Sequence, residues 1–101
     1  MSKYAMFVKL KAKPGKFDEL LAIMTEASKM VLTVKGCQLY ILHKEAGVED
    51  CISVYELWDS QQDHDDSLKV DGTRELIAKA MPLLDGMPEG IKLDAISCKG
   101  M

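Results

Sequence analysis

Cys51-Ile52-Ser53-Val54-Tyr55-Glu56-Leu57-Trp58-Asp59-Ser60-Gln61 is a β-branched and aromatic run that ends on the chain's only tryptophan and meets a helix start at once. Val54 and Tyr55 favour a pleated strand, and Asp59 or Ser60 can accept a hydrogen bond from the free N–H groups of a following helix. Trp58 therefore stands at a strand-to-helix corner. An indole there can pack with its ring and keep its N–H near a cavity, which suits a flat apolar ligand. A core tryptophan that closes the end of a sheet is the plainer reading, and the residues leave both open.

Upstream, residues 37–44 have the same strand character. Glu45-Ala46-Gly47-Val48-Glu49-Asp50 joins them to 51–58 with the length and composition of an antiparallel hairpin loop. Residues 3–12 alternate loosely and read as a first strand, stopped by Pro14-Gly15. From Lys16, the apolar residues Phe17, Leu20, Leu21, Met24, Ala27, Val31 and Val34 recur at helical spacing, which predicts a helix ending before Gly36. Downstream, Ser60-Gln61-Gln62-Asp63 resembles a capping box with aspartate in place of glutamate and predicts a short acidic helix through about Leu68. Lys69-Val70-Asp71-Gly72 interrupts it. A second helical stretch carries Leu76, Ile77, Ala80, Leu83 and Leu84, with Pro82 weakening its last turn, and residues 91–98 read as a final strand.

The order β-α-β-β-α-β is the signature of an α+β ferredoxin-like sandwich, a four-stranded antiparallel sheet with helices on one face. A sheet with one wet face alternates cleanly, yet residues 4–8, 39–42 and 54–58 are apolar on both sides. The second face therefore needs a cover. With no other domain in the sequence, the economical cover is a second copy of the chain, sheet against sheet, as a two-fold homodimer.

The 101 residues, 48% hydrophobic and 29% charged, suffice for one core, so residues 1–101 read as one domain. A net charge of -3 gives no electrostatic footprint for nucleic acid or an anionic membrane, and neither is an expected partner. No apolar run approaches the roughly 20 residues of a membrane span, and no signal-peptide core precedes the first strand, so a cytoplasmic location is expected. Cys37, Cys51 and Cys98 lack the paired short spacing of a zinc site or a redox dithiol and read as small hydrophobes. Cys37 and Cys51 fall at opposite ends of the hairpin, about 20 Å apart, too far for a disulfide.

Four short stretches carry a family likeness: Lys13-Pro14-Gly15-Lys16, Lys35-Gly36-Cys37, Tyr55-Glu56-Leu57-Trp58-Asp59-Ser60 and Met81-Pro82-Leu83-Leu84. In order and spacing the chain resembles the antibiotic biosynthesis monooxygenase family of small dimeric α/β-barrel proteins. The resemblance implies a cofactor-free oxygenase of quinols or polyphenols, with the site between sheet and helices and the family's strand-end tryptophan at Trp58. Family histidines in the following helical segment map near Ser67 and Gly72, where this chain has none. Ser67 is counted as ligand-facing for that reason. The haem-degrading branch's asparagine and histidine map near Val8 and Ala78, so haem degradation is disfavoured.

Such an oxygenase needs a base and a dry cavity. His64 is the expected base, since on the short helix it shares a face with Gln61 and Leu68; a partly exposed histidine in the run Asp63-His64-Asp65-Asp66 is the plain alternative. His43, near the end of the second strand, is the other candidate base, with an ordinary surface role the favoured reading. The acidic run is a poor metal site, because adjacent helical positions point apart. Glu56, between apolar neighbours, could be a base with a raised pKa, but pairing with a lysine is the favoured reading. Tyr4, Tyr40 and Tyr55 are expected to line the pocket with Trp58 and bind substrate, although strand tyrosines also serve cross-strand packing. Met6, Met24, Met30 and Met81 read as core filler. With no phosphate loop, nucleophile elbow or dinucleotide fingerprint, no flavin, haem, nucleotide or metal cofactor is expected. The expected function is a cofactor-independent monooxygenase acting on a small aromatic molecule. A non-catalytic small-molecule binder or stress-response protein and a small-metabolite isomerase are the alternatives on the same fold.

Overall fold

A computed structural model describes residues 3–97. The elements are β1 (Lys3–Lys11), α1 (Phe17–Met30), β2 (Cys37–Lys44), β3 (Cys51–Trp58), α2 (Gln61–Ser67), α3 (Thr73–Ala80) and β4 (Glu89–Ala95). The strands form one antiparallel sheet in the order β2-β3-β1-β4, with the helices packed on one face. This is the α+β ferredoxin-like arrangement, and both hairpin strands have the bounds that the sequence predicts. Among the described residues, no helix is long and apolar enough to cross a membrane.

Several boundaries differ from expectation. Ala12 lies beyond β1 and makes an isolated bridge to Leu84, while its N–H donates to the Asp50 carbonyl at 2.7 Å. The long helix is α-helical only to Met30; Val31–Thr33 tighten into a 3-10 turn, where the β-branched side chains of Val31 and Thr33 fit a regular helix poorly. Pro82 sits in a separate 3-10 turn, Met81–Leu83, near the start of the turn where its missing N–H costs little. β4 begins at Glu89, two residues before the expected Ile91, because Lys9 and Val8 of β1 pair with Glu89 and Gly90. β4 also ends at Ala95, so Ile96 and Ser97, expected in the strand, lie past its end, where among the described residues no pairing with β1 continues, and Cys98 lies outside the described residues.

The core fills one end of the sandwich. Leu10, Ala12, Leu20, Ile52, Leu83 and Leu84 form one buried cluster, with Phe17, Ile23 and Leu42 packed against it. Tyr4, Glu56, Trp58 and His64 gather at the other end. The sheet's second face is apolar across all four strands: the register aligns Ile41, Tyr55, Phe7 and Ile91 in one row and Leu39, Leu57, Ala5 and Leu93 in the next. Five of those eight, Ile41, Phe7, Ile91, Leu39 and Leu93, are exposed.

Candidate functional site

Strand parity decides what reaches the cavity. Tyr40, Glu56 and Trp58 occupy the helix-facing side of the sheet, with Tyr40 directly opposite Glu56 on the neighbouring strand. Above them, α2 is started by Ser60, whose hydroxyl accepts a hydrogen bond from the Asp63 N–H at 3.1 Å. That cap fixes the helix one turn from Trp58 and turns His64 inward. The imidazole packs against the Trp58 ring at 5.6 Å between centroids, near edge-on, and against the Tyr4 ring at 5.5 Å. Its side chain is only 13% exposed, so the ring lies against the sheet and not in solvent, while Asp65 and Asp66 face solvent.

Tyr40, Glu56, Trp58 and His64 border a cavity of about 170 Å³ between the sheet and the three helices. Its walls are mostly apolar, from Met24, Ala27, Val31, Leu68, Leu76 and Ile77 among others. Among the described residues, the titratable side chains on it are Glu56, His64 and Tyr40, and no lysine or arginine borders it. Of the other residues expected at the ligand, Ser67 also lines it. Ser67 donates its hydroxyl proton to the His64 carbonyl, which closes the end of α2 and leaves the oxygen to accept.

Two expected ligand contacts lie elsewhere. Tyr4 stands behind His64 as a packing partner and does not line the cavity. Tyr55 is three residues from Trp58, so it points to the opposite face of the sheet, into the row with Ile41 and Phe7. His43 is exposed on that outer face, in keeping with a surface role.

Glu56 is the residue that sequence reasoning undervalued. Among the described residues it has no lysine partner. Trp58 Nε1 donates to its Oε1 at 3.1 Å, and His64 Nε2 lies 3.9 Å from the same oxygen. Burial raises the Glu56 carboxyl above its ordinary value, against the opposing pull of the indole hydrogen bond and the imidazole. The available signal was alternation: Glu56 and Trp58 are two residues apart, hence on one face. Burial and then the nearby Glu56 carboxylate push the Tyr40 phenol well above its usual range, so it stays a neutral hydroxyl. At the other side of the imidazole, Nδ1 is 3.1 Å from Asp65 Oδ1. The ring thus lies between two carboxylates, with Nε2 on the Glu56 side. Among the described residues, no three His, Cys, Asp or Glu side chains converge as a metal cluster.

Known proteins are similar over nearly the whole chain. A structure from Chloroflexus aurantiacus J-10-fl, named after the antibiotic biosynthesis monooxygenases, is 29% identical over 98% of both chains, with a TM-score of 0.86. One of the same description from Caulobacter crescentus CB15 is 25% identical over 95% of this chain and 92% of its own, also at 0.86. A third, from Nitrosomonas europaea, covers 97% and 94% with a TM-score of 0.91 at 11% identity, and so speaks to fold alone. No curated protein matches the chain. Residues 4–79, which run from β1 to α3 short only of Lys3 and Ala80 and hold all the groups at the cavity's polar end, match the profile of the Antibiotic biosynthesis monooxygenase family, and the chain belongs to that family.

Proposed function

We propose that the protein is a monooxygenase that oxidises a small, neutral, flat aromatic molecule with at least one phenolic hydroxyl, without a bound cofactor. One observation carries the reading: an inward imidazole, a buried carboxylate and an indole converge at the polar end of an otherwise apolar cavity. The aromatic ring packs against Trp58. His64 Nε2 takes the phenolic proton, and Glu56 and Asp65 face the charged imidazole that results. The phenolate then passes one electron to dioxygen, and the two radicals join in a carbon–oxygen bond. Loss of water from that hydroperoxide, with His64 returning its proton, leaves a quinone. One oxygen atom enters the product and the other leaves as water. Apolar walls keep bulk water from the reactive intermediates.

The same reading includes a homodimer through the outer face of the sheet. Its support is the pair of apolar rows, which a monomer leaves in water.

A second reading, a non-catalytic binder, has its own support. The two positions at which family histidines fall hold Ser67, whose proton is committed to the His64 carbonyl, and Gly72, which has no side chain. Oxygen uptake with a panel of hydroquinones and polyphenols separates the two. Stoichiometric uptake with quinone formation is the result for an oxygenase. A ligand-dependent rise in melting temperature with no uptake by any panel member overturns it in favour of the binder.

A further inference from the structure

The cavity beside Trp58 has a neighbour. A second chamber of about 270 Å³, half-open to solvent beside Met81, lies under α3 and the turn that follows it, between Val8, Leu10 and Val54 of the sheet and Met81, Leu84 and Pro88. Apart from Glu56 and Tyr40, its lining is entirely apolar. The two chambers share Met24, Tyr40, Glu56, Ile77 and Ala80. Glu56 and Tyr40 face each other across β3 and β2, so they form a polar waist on the floor with Met24, Ile77 and Ala80 over it. Met24 is the adaptable part of that roof, an unbranched thioether with several accessible rotamers.

Size limits what the first chamber takes alone. A cavity of about 150 Å³ accommodates benzene, whereas whole ligand sites run to roughly 300–1,000 Å³. At about 170 Å³ the Trp58 chamber is a one-ring site. The second chamber offers the remaining space and nothing polar beyond the waist.

We propose that the two chambers are one binding site for an alkylated phenol: a single aromatic ring against Trp58 and His64, its hydroxyl at the waist carboxylate or imidazole, and an alkyl chain running between Met24 and Glu56 into the space under α3. Scaled from benzene, the second chamber holds a chain of roughly six to ten carbons. Carboxylated chains are rejected, since among the described residues the charged group beside the chain's path is the Glu56 carboxylate. This inference rests on the reading of the Trp58 chamber as the ring site, but it does not require turnover.

The test is anaerobic binding of 4-alkylphenols from methyl to octyl, read by quenching of Trp58, the chain's only tryptophan. Affinity is expected to rise about three- to fourfold per methylene until the chamber is full. In Val8→Phe, which fills the second chamber from the sheet side, the gain with chain length disappears beyond the first carbons. Met81→Phe narrows it from the half-exposed mouth, adds no second tryptophan to the readout, and serves if the first variant does not fold. A flat series in the native protein, no quenching by any member, or a series that keeps its slope in a folded chamber-filling variant overturns the proposal. Length-dependent binding without oxygen uptake would leave this inference standing and remove the oxygenase. A flat series with oxygen uptake would do the reverse.

Discussion

Trp58 Nε1 donates a hydrogen bond to Glu56 Oε1 at 3.1 Å from two residues along the same face of β3. The tryptophan is 1% exposed and the glutamate side chain 12%, so the bond forms where water competes weakly. It ties the floor of the cavity to its one acidic group. A hydrogen bond to a charged acceptor in such a place contributes about 1.5–3 kcal/mol. Trp58→Phe keeps an aromatic ring and removes the donor. The expected result is a loss of stability of about that size in denaturant titration at neutral pH, together with weaker ligand binding. A variant as stable as the parent at pH 7 shows that the bond carries no net weight.

His64 lies against Trp58 with Nε2 directed to the Glu56 side, the position a proton acceptor requires. Removal of a positioned general base lowers turnover by about 10²–10⁴-fold. His64→Ala is therefore expected to depress kcat by that factor with KM changed little. Full activity in the folded variant shifts the proton to Glu56 or to a substrate that ionises unaided, and Glu56→Gln then distinguishes those two.

The Glu56 carboxyl makes a prediction about stability and pH. Its folded pKa is raised, chiefly by burial, from an ordinary value of 4.5. The folded state therefore holds the proton more tightly than the unfolded chain does. Its contribution is most favourable below pH 4.5 and is lost as pH climbs from there through the folded pKa. Glu56→Gln stays neutral and still offers an oxygen to the indole. Its melting temperature is expected to gain on the parent's as pH rises from 4 to 7. A difference that is constant across that range contradicts the assignment.

Much of this arrangement is legible in the chain before any coordinates. Residues 37–44 and 51–58 read as strands with their observed bounds, because β-branched and aromatic runs are bracketed by Gly36 and by a loop of hairpin length. Ser60 caps its helix through the expected contact at Asp63. The start of β4 was less accessible, since Glu89 and Gly90 become strand only by pairing with β1. Parity would have separated Tyr55 from Trp58 and joined Glu56 to it, but a lysine partner for Glu56 is the ordinary reading of a carboxylate between apolar neighbours. Its actual partners depend on how α2 docks over the sheet, which no local pattern contains. The second chamber is likewise a product of packing, between side chains from β1, β3, α1 and α3.

The outer face of the sheet supplies the last prediction. Ile41, Tyr55, Phe7 and Ile91 form one row across β2, β3, β1 and β4, with Leu39, Leu57, Ala5 and Leu93 beside it. Phe7 is 37% exposed and Ile91 58%, on a face that a soluble monomer would be expected to make polar. Two such faces packed together bury both rows, and the two-fold operation that relates them places each residue against the same patch of its partner. Sedimentation at micromolar concentration is expected to give twice the 11.2 kDa chain mass. Ile41→Glu sets a carboxylate into the middle of the joint, where pairing would strand two like charges away from water, and the expected species is a monomer with the inner cavity preserved. A native chain that sediments as a monomer removes the dimer, and an Ile41→Glu variant that stays dimeric moves the interface off this face of the sheet.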